Sequence, residues 1–161
     1  MITAWNGYFT AQAGAFAALT GLVFVALSIN LKHILTLPGV SGRAGEAIIV
    51  LVEPVLIALL GLTPHQSVHA LGIELLVVSS AAWAFATAII VRGWPALRAR
   101  PLHEAARRFL LVEVATLLVV VAGCLLAVGD PSGLYWQAAG TGTCLVVGIF
   151  DAWVLLIEIL R

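Results

Sequence analysis

The stretch EAIIVLVEPVLIALLGL, Glu46 to Leu62, carries a glutamate and a proline in the middle of an apolar run. With the residues just before it, the run is long enough to cross a bilayer, which takes roughly 20 apolar residues at about 1.5 Å rise each. A carboxylate at Glu53 beside a helix-breaking Pro54 is expensive in that setting. The pair therefore poses both questions at once, what kind of fold this is and what the acid is for.

The rest of the chain settles the solvent. Of its 161 residues, 62% are hydrophobic and 10% are charged, against about 25% charged in an ordinary soluble domain. Too few polar residues exist to cover the outside of a core, so the surrounding medium is mostly lipid. The net charge is zero, which offers nothing to a nucleic acid. Cys124 and Cys144 both sit in apolar runs without metal-ligand spacing and read as packing residues. No cofactor-binding or metal motif stands out. The N-terminal apolar run lacks a basic leader and is too long for a cleaved signal peptide, so it reads as a retained helix.

Five spans follow from hydropathy, at about residues 10–31, 44–62, 70–91, 109–128 and 134–155, the last able to continue to Leu160. The breaks between them carry turn residues, as in GDPSG, and no loop is long enough to fold separately. The expected fold is a single all-α polytopic membrane domain, a five-transmembrane-helix bundle. Pro101 reads as the start of a helix that runs directly into the fourth span.

Orientation comes from the basic residues. Lys32, Arg43, Arg92, Arg98, Arg100, Arg107, Arg108 and Arg161 all fall in the first loop, the third loop or the C-terminus. Five alternating spans bring those places to one side, which the positive-inside rule makes cytoplasmic, with the N-terminus outside and the C-terminus cytoplasmic. Trp5, Tyr8, Tyr135 and Trp136 then mark the outer interface, whereas Trp83 and Trp153 fall deeper and read as packing residues or contacts between helices. Arg107 and Arg108 are placed to contact lipid headgroups, each contact contributing on the order of 1 kcal/mol.

Depth singles out the acids. Glu53 lies about 15 Å beyond Arg43, near the bilayer midplane; Glu113 lies about 9 Å beyond Arg107, and Asp151 about 22 Å below Trp136. A carboxylate facing lipid at the centre costs at least about 2.5 kcal/mol, so these acids should face a bundle interior, an interface or a cavity. Glu46 and Glu53, like Asp151 and Glu158, are two turns apart and share a helix face. Pro54 removes a donor from the second span, frees the carbonyl of Val50 and is expected to kink the helix. At the cytoplasmic mouth, Asn30, Lys32 and His33 are further polar groups. His65 and His69 have a spacing that would suit a metal only on a helix.

Three readings of the acids stay open. They form a cation or proton pathway, with several copies around an axis making a homo-oligomer. They are structural, paired with Lys32, His33 or Arg107 or kept neutral, since desolvation disfavours the charged form. Or they dock a partner membrane protein. The small residues of AAGTGTCLVVG, Ala138 to Gly148, permit close helix approach and suggest an oligomer interface. No nucleophile elbow, phosphate loop or redox pair points to an enzyme.

The segment AGAFAALTGLVFVALSINL, Ala13 to Leu31, resembles the start of a group of small bacterial membrane proteins loosely labelled modulator of FtsH protease. The resemblance covers mainly the first span, roughly Trp5 to Leu35. It implies a multi-pass protein of the bacterial inner membrane and adds, beside an ion pathway, a non-conducting modulator that binds a partner protein or protease.

Overall fold

The computed structural model describes residues 2–36, 40–93 and 102–160, with the side chains of residues 102–108, 156 and 158–160 outside the description. A short 3-10 turn, Ile2–Trp5, leads into α1 (Asn6–Ile29). A one-turn helix α2 (Leu31–Ile34) follows, then α3 (Val40–Gly61), α4 (Val68–Arg92), α5 (Leu102–Ala127) and α6 (Gly133–Leu160). Five of these helices are long and apolar enough to cross a membrane. The protein is an all-helical, membrane-spanning bundle.

Several helices outrun their apolar stretches. α1 opens at Asn6, α3 at Val40 and α5 at Leu102, while α6 is continuous to Leu160. Hydropathy marks where lipid begins, whereas helical hydrogen bonding persists through the interface, where water or headgroups satisfy the end groups. The ends that do stop have visible causes. Ser67 accepts from the Ala70 N–H at 3.1 Å and starts α4. Beyond α5, Gly129 turns the chain at φ +87°, and Asp130 Oδ1 accepts from the Ser132 N–H at 2.9 Å. A β-carbon at Gly129 would also lie 2.7 Å from the His69 ring, so both backbone conformation and space demand glycine there.

Packing puts α3 at the centre. It touches α1, α4 and α6, while α4 packs on α5 and α5 on α6. The helices α3 to α6 thus close a four-helix ring, and α1 lies outside it against α3. Half of the spanning window of α3 is buried, against 11% of that of α1. Large apolar side chains such as Phe24, Phe85, Val146 and Trp153 face outward, as lipid requires. Trp153 is 62% exposed and so contributes little to the packed interior. At the end away from the basic residues, the Trp5 ring meets Tyr8 and Tyr135 edge-on at centroid distances of 5.5 and 5.1 Å.

Close helix crossings rest on particular glycines. At Gly72 a β-carbon would sit 2.2 Å from the Ala127 backbone nitrogen, which brings α4 and α5 into direct backbone contact. On α6, Gly140 seats Val119 of α5 and Gly148 seats Leu51 of α3. These two residues of the small-residue segment thus pack inside the protomer, while Gly142 meets open space. Replacing Gly72 with Ala is expected to cost at least the usual overpacking penalty of about 1–3 kcal/mol, because backbone cannot step aside. Gly142→Ala is expected to be neutral. Thermal unfolding of both variants in detergent micelles checks the contrast.

Candidate functional site: a buried polar line along α3 and α6

One face of α6 carries Gln137, Thr141, Cys144, Gly148 and Asp151, separated alternately by four and three residues. That spacing keeps all five on one side of a helix. The face meets α3, which supplies Arg43, Glu46 and Glu53, and α1 adds Gln12. Gln12, Glu46, Glu53, Gln137, Thr141 and Asp151 are all buried. The acids Glu46, Glu53 and Asp151 face the interior of their own bundle, so they do not line an outer surface that a second copy would meet.

The half of the line away from the basic residues is organised by two amides. Gln12 Nε2 donates to the Pro54 carbonyl at 2.8 Å. Gln12 Oε1 accepts from Gln137 Nε2 at 3.0 Å, and the same nitrogen donates to Thr141 Oγ1 at 2.8 Å. One side chain of α1 therefore ties α3 to α6 beside the proline. α3 stays helical through Pro54, but the Val50 carbonyl lacks the helical N–H it would otherwise receive.

At the middle of the line stands Glu53. It is 2% exposed, and neither carboxyl oxygen has a hydrogen-bond partner among the described residues. The Gln137 Oε1 is likewise buried without a partner. Cys144 is buried in the cluster that holds Val50 and Leu51 of α3, and its thiol points toward the Ala115 carbonyl at 3.8 Å. Buried acceptor oxygens without a donor, as at Glu53 and Gln137, suit a proton or a water molecule.

Toward the basic end, Arg43 Nε lies 3.6 Å from Asp151 Oδ1, with side chains 12% and 6% exposed. Asp151 thus has Arg43 beside it, a partner outside the expected set of Lys32, His33 and Arg107. Because α3 begins at Val40, Arg43 already sits in its first turn and turns inward toward α6. Lys32 and His33 are exposed on α2, and Asn30 Nδ2 turns back to the Ala26 carbonyl at 2.9 Å.

Glu113 belongs elsewhere. It accepts from Trp83 Nε1 at 2.6 Å and from Thr87 Oγ1 at 3.0 Å, tethering α5 to α4. Trp83 accordingly makes a contact between helices, as its depth suggests. The side chains of Glu158, Arg107 and Arg108 lie outside the described residues. His65 has left-handed backbone at φ 58° ahead of α4, so it shares no helical turn with His69. No group of three metal-ligating side chains gathers among the described residues.

The amides and the hydroxyl at Gln12, Gln137 and Thr141 were not singled out by sequence reasoning. Their signal was present as neutral polar residues inside apolar runs, but attention to charge passed over them. Comparison with family models, curated proteins and solved structures returns no match for this chain.

Replacing Glu53 with Leu removes a buried group without a donor, and stability is expected to rise by about 1–3 kcal/mol. Asp151→Asn weakens the buried pair with Arg43 and is expected to lower stability by about 3 kcal/mol. Thermal unfolding of both variants in one detergent tests the opposite signs.

Proposed function

We propose that the protein moves protons or other small cations across the bacterial inner membrane through the polar line of each protomer, with Glu53 accepting and releasing the charge. The observation that carries this reading is Glu53 itself, a mid-helix carboxyl group sealed from solvent with neither oxygen answered among the described residues. A structural acid would have a partner, as Glu113 has in Trp83 and Thr87. The Gln12, Gln137 and Thr141 cluster supports transfer on one side of Glu53, and the Arg43–Asp151 pair supports it on the other. Burial on this scale argues for stepwise transfer between side chains over an open, water-filled pore. A homo-oligomer on this reading assembles complete units, each with its own line.

A second reading, a non-conducting subunit that docks a partner helix or modulates a membrane protease, is favoured by α1. Gly7, Ala11, Gly14, Ala18 and Gly21 repeat at alternating four and three residues, and all are exposed. The three glycines have nothing within 4 Å of a β-carbon. Small residues at that spacing let another helix approach closely.

Proteoliposomes under separate H+, Na+ and K+ gradients distinguish the two. The pathway predicts flux in the wild type and at least a tenfold loss in Glu53→Gln at matched reconstitution, equivalent to about 1.4 kcal/mol or more on the barrier. A folded wild type without flux, together with cross-links from Gly14→Cys to another protein in native membranes, would favour docking.

A further inference from the structure

We infer that Leu51, seated on Gly148, is the constriction that determines what passes along the polar line. This rests on the proposed pathway through Glu53 and Asp151. On the line-forming face of α6, Asp151 stands at the level of Arg43, and Cys144 lies two turns further along, in the buried cluster that holds Val50 and Leu51 of α3. Seven residues separate them, about 10 Å of helix. Between them the face offers only Gly148, which has no side chain.

That gap is filled from α3. A β-carbon at Gly148 would lie 2.5 Å from Leu51 Cδ2 and 2.9 Å from Cγ, so the leucine occupies the space a side chain would take. Leu51 is 1% exposed, and Val50, Val112 and Val147 pack in the same cluster. The result is a dry layer with polar groups on both sides. A hydrated ion cannot cross such a layer, since apolar constrictions exclude water. Its composition restricts passage to a species that moves without a hydration shell.

Leu51 also has somewhere to go. It borders an apolar groove of about 270 Å³ lined by Leu19, Val23 and Leu27 of α1 and Gly148 and Ala152 of α6. For scale, an engineered cavity of about 150 Å³ already accepts benzene. Lipid tails that fill the groove are as apolar as leucine, so exchanging one for the other carries little cost. Rotation of Leu51 off Gly148 into this groove brings the two polar segments into communication. Val50 is fully buried and is not among the residues that line this groove.

Proton and sodium flux through proteoliposomes of wild type, Leu51→Ala, Gly148→Ala and Glu53→Gln tests the inference, with thermal unfolding confirming folded protein. Gly148→Ala guards against a Leu51→Ala variant that fails to fold, because its methyl group unseats Leu51 without opening a cavity. The expected result is a proton flux raised about tenfold or more in both variants, and sodium flux appearing in Leu51→Ala alone. Wild-type proton and sodium flux in both folded variants, with Glu53→Gln still inactive, overturns the constriction and leaves the pathway standing. A wild type that passes no protons overturns the pathway and the constriction together.

Discussion

Hydrocarbon supplies no hydrogen-bond partners, so a helix bearing Arg43, Glu46, Glu53 and Pro54 has to be surrounded by protein. This constraint on α3 organises the bundle. α4 and α6 flank it, α5 closes the ring behind them, and α1 covers the remaining side next to the proline. The glycines stand where this enclosure is tightest, with Gly148 admitting Leu51 of α3 and Gly72 bringing α4 onto α5. α1, which carries one buried amide and no charge within its span, can remain at the periphery.

Within the enclosure, polar groups meet different fates. Glu113 is fully engaged by two donors, and Asp151 has a cation beside it. Gln12 and Gln137 engage each other and the Pro54 carbonyl. Glu53 alone among the described carboxylates of the spans has both oxygens buried and unanswered. A protein selected only for stability would replace it with leucine, because a buried acceptor without a donor costs its full desolvation. On the proposed pathway that cost is offset by a role in transfer, and the apolar layer at Leu51 is a barrier that lets Glu53 exchange with one side at a time.

The fold was legible because span length, turn residues and the grouping of Lys and Arg are one-dimensional signals. The burial of Glu46, Glu53 and Asp151 was also legible, since a carboxylate inside an apolar run is costly against lipid. Partner choice was not. Arg43 lies at the edge of a loop in the sequence and enters the bundle only because α3 starts at Val40. Glu113 and Trp83 are 30 residues apart on separate helices, and nothing in either segment specifies their meeting. Gln12 lies 125 residues from Gln137, a contact set by the packing of α1 beside Pro54. The seat of Leu51 on Gly148 is likewise a product of helix register.

On the proposed pathway, Glu53 binds and releases a proton inside the bundle. Infrared spectroscopy of the reconstituted protein near neutral pH tests it directly, by comparing wild type with Glu53→Gln. The account predicts a protonated-carboxyl C=O band in the wild type that disappears in the variant. A wild-type spectrum with no band assignable to Glu53 would mean that the group is held ionised by a permanent partner, which would contradict the account.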